Sequence, residues 1–371
     1  MQLILHIGTH KTGTSALQDC LRRNEQILAD KGIHYARIKP YSHSNRLGSS
    51  IANRRRAEVR AFIDRHVEKA RTLGANRLVI SAESLYAMTI FFHRFNGKQD
   101  HEYWTSESEA IEFLHCVLPP DVTTRLIVFF RRQDYFLESV FQEVVKSSLA
   151  VAMPIDEFRD FFSEALNYWR HMEIWSAVFP DCAVYTYEQA FNNISEFFLR
   201  NVLHLPNTDE FEGLDLRVNV RLNRDVLEYK RMLNGMAMSV VDRTMSEIAC
   251  TELARTLADD GHYPDHLAPD ARASLLRKIE RDNALLSETF GMKPFPTLSD
   301  DSLKGWAPYP GLSAERAREL AERHARIRMG AGYRIERSAL LVRQFIQQRL
   351  PMLAWIIPLG RLLLPWHRHA R

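Results

Sequence analysis

Short apolar runs alternate with amphipathic helical patterns along the first half of the chain. The runs cover residues 2–7, 76–83, 123–132 and 182–188, and each is followed by a segment with helical periodicity, including one long pattern over 156–178. Strands that alternate with helices of this length form parallel sheets whose two faces are covered by helices. The sequence therefore predicts a three-layer α/β fold with a central parallel sheet.

The domain organisation follows from the length and from the change of pattern after this alternation. At 371 residues the chain is long enough for one large core with an added region. The pattern after the fourth strand and its helix is mainly helical up to the carboxyl end. We expect a core over 1–220, a helical continuation over 221–293, a linker or loop over 294–313, and a helical extension with an apolar tail over 314–371.

The composition excludes several classes of function. Hydrophobic residues make up 46% and charged residues 26% of the chain, as in an ordinary globular protein, and the net charge is only +3. A nucleic-acid-binding surface needs a stronger and more clustered basic excess, so we expect no nucleic-acid partner. The four cysteines lack metal-ligand spacing, which favours reduced thiols in a cytoplasmic protein without a structural zinc. The apolar start is too short for a signal peptide and is interpreted as the first strand.

The first strand runs directly into a turn rich in Gly, Thr and Lys, at residues 8–14, and a helical pattern begins near Ser15. A turn between a buried strand and a helix presents backbone N–H groups to an anion, and the helix dipole adds to the attraction. A lysine supplies an ammonium group there, hydroxyl groups can donate hydrogen bonds, and a glycine lets the backbone approach closely. The candidate anion ligands are Lys11, Thr12, Gly13, Thr14 and Ser15.

This turn differs from the nucleoside-triphosphate loop, in which a lysine follows the second glycine of G-x-x-x-x-G-K-[ST]. Here Lys11 precedes Gly13. No aspartate follows a later strand in the position of a magnesium ligand, and we expect no metal. A P-loop kinase that uses ATP with magnesium is the alternative enzyme class.

A second motif follows the third apolar run. Arg131 stands at the end of the strand "LIVFF", and Ser139 comes eight residues later, inside the next helical pattern. Together with Lys-Thr-Gly-Thr-Ser at 11–15, this arrangement resembles the cofactor site of sulfotransferases that use 3′-phosphoadenosine 5′-phosphosulfate (PAPS). The resemblance is to bacterial sulfotransferase-like proteins and covers about residues 1–220. Many members of the family have Asn-Pro after the arginine, whereas this chain has Arg132 and a glutamine.

The resemblance implies a P-loop-like fold and a metal-free transfer of a sulfuryl group from PAPS to a hydroxyl acceptor by in-line displacement, with release of PAP. By this resemblance, Lys11 and the loop hold the 5′-phosphosulfate, while Arg131 and Ser139 bind the 3′-phosphate. The breadth of the family favours a carbohydrate or glycoconjugate acceptor. The alternative outside the enzymes is a non-catalytic nucleotide-binding protein of the same fold.

An alcohol acceptor needs a base within hydrogen-bonding reach. Glu83 is the first candidate, because it follows the strand "RLVIS", which we expect beside the first strand, at the carboxyl edge where open α/β sheets bind ligands. Its alternative role is to cap the helix that follows it. His43, in the polar segment "YSHSNRL", is the second candidate, and its alternative role is that of a surface residue.

The carboxyl end contains a second unusual stretch. Residues 350–366 are nearly all apolar, include Trp355 and Trp366, and are flanked by arginines. Three prolines and Arg361 argue against a membrane-spanning helix. Two interpretations stay open: a tail docked on the core or on a second copy in a homodimer, and a peripheral contact with the inner face of the cytoplasmic membrane.

Overall fold

The structure is a computed structural model and describes residues 1–37, 42–97, 102–190, 193–214, 222–257, 266–298 and 309–349. The chain divides into two compact units. The first comprises residues 1–137, 159–217 and 270–304, and the second comprises residues 138–158, 218–269 and 305–371.

The first unit is built on a five-stranded sheet in which every neighbouring pair of strands is parallel. The strand order is β2-β3-β1-β4-β5, so the first strand lies at the centre. The α/β class and the central parallel sheet are thus confirmed, as is the expected position of the strand before Glu83 beside the first strand. The strands are β1 Gln2–His6, β2 Ile33–Tyr35, β3 Arg77–Ser81, β4 Thr123–Phe130 and β5 Cys182–Thr186.

Helices connect the strands and make up the regular structure described in the second unit. In chain order they are α1 Thr14–Arg23, α2 Glu25–Asp30, α3 Ser42–Ala52, α4 Arg56–Thr72, α5 Met88–Phe92, α6 Tyr103–Val117, α7 Gln133–Lys146, α8 Ile155–Phe161, α9 Tyr168–Val178, α10 Ile194–Phe197, α11 Arg224–Asn234, α12 Val240–Thr256, α13 Pro269–Lys278, α14 Glu280–Phe290, α15 Ala314–Met329 and α16 Ala331–Arg349.

One helix prediction was wrong. The pattern over 156–178 was expected to form one long helix, but it is divided into α8 and α9 by a short 3₁₀ turn over Ser163–Leu166. The Asn167 side chain then accepts a hydrogen bond of 3.0 Å from the Arg170 backbone N–H and caps the second helix. An asparagine in this position satisfies a backbone donor that the end of a helix leaves without a partner, so it starts a new helix.

The helix after the central strand is anchored by its apolar face. Leu17, Cys20 and Leu21 follow the spacing of one helix face and are fully buried. They belong to the same core cluster as Ile4 of β1 and Phe129 of β4. This packing fixes the start of α1 at the carboxyl end of β1, where the Gly/Thr/Lys-rich turn lies.

The second unit is helical over its described residues. Met245, Leu253 and Leu320 are buried in it, and the Tyr229 hydroxyl lies 3.1 Å from Nδ1 of His324. Within the described parts of the chain, none of the helices combines the length and the apolar character that crossing a bilayer requires.

Candidate functional site

The candidate residues follow the carboxyl ends of neighbouring strands. The loop with Lys11 follows β1, Glu83 follows β3, Arg131 follows β4, and Glu188 follows β5. The chain moves from β1 towards β2 and β3 on one side of the sheet and towards β4 and β5 on the other. In open α/β sheets such a reversal at the carboxyl edge leaves a crevice for a ligand.

The loop after β1 continues alongside β4 beyond the end of the regular strand. The Ile7 N–H donates to the Ile127 carbonyl at 3.0 Å, and the Thr9 N–H donates to the Phe129 carbonyl at 2.9 Å. The second of these acceptors, Phe129, stands two positions before Arg131 in the sequence. Nη1 of Arg131 donates to the Lys11 carbonyl oxygen at 3.5 Å. The structure therefore brings Arg131 of the second motif to the loop that carries Lys11.

The loop turns into α1 and leaves the first N–H groups of this helix without a side-chain cap. Lys11 and Gly13 adopt left-handed φ angles of 65° and 78°, and α1 begins at Thr14 without a side chain that caps it. The first N–H groups of a helix have no partners within it, and the positive end of the helix dipole lies there. Lys11 adds a positive charge to this end. The combination suits a phosphate or sulfate group.

The loop hydroxyls have different surroundings. The Thr12 hydroxyl donates to the Thr9 carbonyl at 2.7 Å and is buried, so it stabilises the turn itself. Thr14 is also buried, whereas Ser15 is partly exposed. Of the predicted hydroxyl ligands, Ser15 is therefore the most accessible, and the structure gives Thr12 a role within the loop.

Two glycines make the close approaches in this loop possible. A Cβ atom on Gly8, whose φ is 109°, would lie 2.9 Å from the Cα atom of Glu83. A Cβ atom on Gly13 would lie 2.9 Å from Cγ2 of Ile194, at the start of α10. Real Cβ atoms do not approach other atoms so closely, so both positions exclude larger residues unless the backbone moves.

Arg131 is held at its backbone and its guanidinium group lies among aromatic rings. The Tyr168 hydroxyl donates to the Arg131 carbonyl at 2.7 Å. The guanidinium carbon lies 5.6 Å from the ring centres of both Tyr135 and Tyr187. Cation–π contacts at this distance favour the charged guanidinium group, whose planar shape suits bidentate contact with a phosphate.

The neighbouring Arg132 has a structural role. It is buried and donates to both carboxylate oxygens of Asp134 at 2.8 Å, and to the Pro296 carbonyl at 3.0 Å. Asp134 also accepts a hydrogen bond of 2.6 Å from the fully buried Arg272. The two guanidinium groups hold the pKa of Asp134 below its ordinary value, although burial acts in the opposite direction. Of the two consecutive arginines, Arg131 is therefore the one that borders the loop.

Glu83 lies beside the loop and is fixed by α1. Nε2 of Gln18 donates to Oε2 of Glu83 at 2.7 Å and to the Ser81 carbonyl at 3.1 Å. Burial raises the pKa of Glu83, while hydrogen bonds, one of them from Gln18, and the positive charge of Lys11 act in the opposite direction. The residue is partly exposed, so it can reach a ligand. The second candidate base, His43, stands in the first turn of α3, and its side chain lies outside the described part of the structure.

Glu188 is a site residue that the sequence analysis did not identify. Its Oε1 accepts a hydrogen bond of 3.1 Å from the Arg132 backbone N–H. Burial raises its pKa, and this hydrogen bond and the charges of Arg131 and Arg132 lower it. The rule that selected Glu83, a carboxylate just after a buried strand, also applies to Glu188. Gln18 had no such signal, because nothing in the spacing of α1 shows which carboxylate it contacts.

Ser139 lies in α7, on the second-unit side of the division between the units. Its role beside Arg131 stays a prediction. Among the described residues, no group of three or more His, Cys, Asp or Glu side chains could hold a metal ion.

The comparisons with known proteins gave no relatives. No protein-family model matches the sequence, and no curated protein or solved structure matches it significantly. The functional assignment therefore rests on the residues of the site.

Proposed function

We propose that the protein transfers a sulfuryl group from PAPS to a hydroxyl acceptor. The observation that carries this proposal is the hydrogen bond between Arg131 and the Lys11 carbonyl, because it puts Arg131 beside the Lys11 loop at one edge of the sheet. PAPS has two separate anionic groups, and the site offers two separate cationic side chains beside an uncapped helix start.

The residues present fit such a donor. The start of α1 and Lys11 would hold the 5′-phosphosulfate, and Ser15 would add a hydroxyl group. Arg131 would bind the 3′-phosphate through its planar guanidinium group. PAPS supplies the sulfuryl group, and the positive charge of Lys11 would stabilise the negative charge that develops on the departing phosphate.

Glu83 is the base in this proposal. Its carboxylate lies near Lys11, at the edge where the loop begins, and burial brings its pKa closer to neutrality. A base is most effective when its pKa lies near the working pH. Glu83 would accept the proton of the acceptor hydroxyl while Gln18 holds the carboxylate in place.

The acceptor class and the location are proposed from the sequence. A carbohydrate or glycoconjugate hydroxyl follows from the breadth of the family that the motifs resemble. A cytoplasmic location and the absence of a metal requirement stay predictions.

Labelled PAPS, incubated with pools of glycans and small alcohols, tests the proposal. We expect label to appear in an acceptor with the wild-type protein and to disappear with Lys11→Ala. Glu83→Gln is expected to lower kcat by about 10²–10⁴-fold and to leave PAP binding intact. Transfer of phosphate from ATP with magnesium would contradict the proposal and support a kinase. PAP binding without transfer to any pool would support a non-catalytic nucleotide-binding protein.

A further inference from the structure

The carboxyl-terminal part of the chain carries a basic excess that the rest lacks. Residues 314–371 contain 12 arginines, no lysine and 4 glutamates, a formal charge of +8, whereas residues 1–313 carry −5. The nearly neutral net charge of the whole protein therefore conceals two regions of opposite sign. Concentrated positive charge of this kind attracts an anionic surface over about a Debye length.

Three of these arginines line one cavity. Arg328 lies at the end of α15, and Arg334 and Arg337 lie in the first turns of α16. Together with Tyr333 and Met329 they line an open depression with a volume of about 400 Å³, which we call the arginine cavity. It lies within the second unit.

The arginines of this cavity are only partly neutralised. Nη2 of Arg337 donates to a carboxylate oxygen of Asp242 at 3.1 Å, and Arg328 is hydrogen bonded to the Tyr333 side chain. Arg328 and Arg334 are exposed, and no acidic side chain of the described residues forms an ion pair with either. The charge of Arg328 also acts on Asp242, so the three arginines share this one described carboxylate and the cavity keeps a net positive charge.

Apolar side chains are exposed beside these charges. Met329 is 67% exposed, Ile335 is 56% exposed and Leu341 is 42% exposed. Leu341 stands four residues after Arg337 and seven after Arg334, so the three positions share one face of α16. Large apolar side chains this exposed, mixed with arginines, are typical of helices that lie at a membrane interface.

We propose that α15 and α16 form a surface that docks on a bilayer containing anionic lipid, with lipid phosphates at the arginine cavity and Met329, Ile335 and Leu341 at the level of the acyl chains. Charge and apolar contact are both present, and stable attachment to a membrane takes two such signals. A soluble polyanion would use the charges but would leave the apolar side chains in water. The sequence beyond α16 is apolar, contains tryptophans and ends in arginines, which extends the same chemistry.

Flotation of the full-length protein with vesicles tests the proposal. We expect binding to vesicles that contain phosphatidylserine, no binding to phosphatidylcholine alone, and loss of binding at high salt. A basic residue near such a surface is worth about fivefold in partition, so Arg328→Gln with Arg334→Gln should lower binding by about 25-fold. Met329→Ser should weaken binding without changing its salt dependence.

Arg56→Gln with Arg65→Gln is the matched control. These two arginines are exposed on α4, in the first unit, and their removal changes the net charge equally. The proposal would be overturned if the two double variants lost binding equally. It would also be overturned if the wild type did not bind anionic vesicles. Full binding by the double variant Arg328→Gln/Arg334→Gln would overturn it as well, and would indicate that the apolar tail at 350–371 binds the membrane instead. Binding to a heparin column that depends on Arg328 and Arg334, without vesicle binding, would overturn it in favour of a polyanionic chain.

Discussion

The backbone of Glu83 passes so close to Gly8 that a Cβ atom on the glycine would lie 2.9 Å from the Cα atom of the glutamate. This contact joins the loop after β1 to the first residues after β3, two strands that are direct neighbours in the sheet. The backbones of the candidate base and of the candidate anion loop are therefore packed directly against each other.

Gly8→Ala should damage the loop. The residue has a φ of 109° and the contact with Glu83, so we expect a lower Tm and a loss of PAP affinity of at least tenfold. Gly74→Ala is the matched control, because Gly74 also has a positive φ, 66°, but no atom within 4 Å of an added Cβ. It should cost only about 1–2 kcal/mol of left-handed strain. Equal effects of the two substitutions on PAP binding would show that the contact has no role.

Gln18→Ala should shift the pH dependence of turnover. The Gln18 amide stabilises the ionised form of Glu83, so its removal should raise the pKa of this carboxyl further. The ionised fraction at a given pH then falls, and kcat should fall at acidic pH and recover as the pH rises. The pH profile of kcat measures the shift. Gln26→Ala, which removes a hydrogen bond with Asp30 on the exposed side of α2, should leave the profile unchanged.

Asp134→Asn should destabilise the protein strongly. The change removes the charge that Asp134 sets against the buried guanidinium groups of Arg132 and Arg272, and breaking a buried ion pair costs about 3–5 kcal/mol. Urea unfolding measures the loss. Asp64→Asn, which removes an exposed pair with Arg60, should cost less than about 1 kcal/mol. Similar losses for the two variants would contradict the structural role of the buried cluster.

Two buried histidines should make the stability of the protein decrease at acidic pH. Nε2 of His34 lies 3.1 Å from Nδ1 of His66, and burial lowers the pKa of each to about 4 from 6.5. As the pH falls, these histidines therefore bind protons in the unfolded chain before they do so in the folded chain. The contribution of the neutral pair to stability is complete above pH 6.5 and is lost as the pH falls towards 4. The loss at about pH 5 is at most about 2 kcal/mol for each histidine.

Thermal unfolding across this pH range measures the effect of the pair. The double variant His34→Gln/His66→Gln should show a smaller loss of Tm between neutral and acidic pH than the wild type. His6 and His171, whose pKa burial lowers to about 3, are present in both proteins, so the difference between the two slopes isolates the pair. Identical slopes would show that the pair does not titrate as its burial implies.

The sequence was sufficient for features that depend on local pattern. The apolar runs located four of the five strands and missed the three-residue β2, and the position of residues after strand ends placed Lys11, Glu83 and Arg131 along one edge. The roles of Arg132 and Gln18 could not be predicted, because they depend on partners such as Arg272, which is distant in sequence. The break between α8 and α9 was missed because the apolar spacing continues across it, while α8 ends at Phe161 and the Asn167 side chain caps the start of α9.

Calorimetric titration with PAP and with AMP tests the central claim most directly, since the two ligands differ only by the 3′-phosphate. We predict that the wild-type protein binds PAP about 10–100-fold more tightly than AMP, as expected for a charge-assisted phosphate contact. Arg131→Ala should abolish this preference, whereas Arg125→Ala, on the same strand β4, should preserve it. Equal affinity of the wild type for PAP and AMP, or a preference that survives Arg131→Ala, would contradict the account.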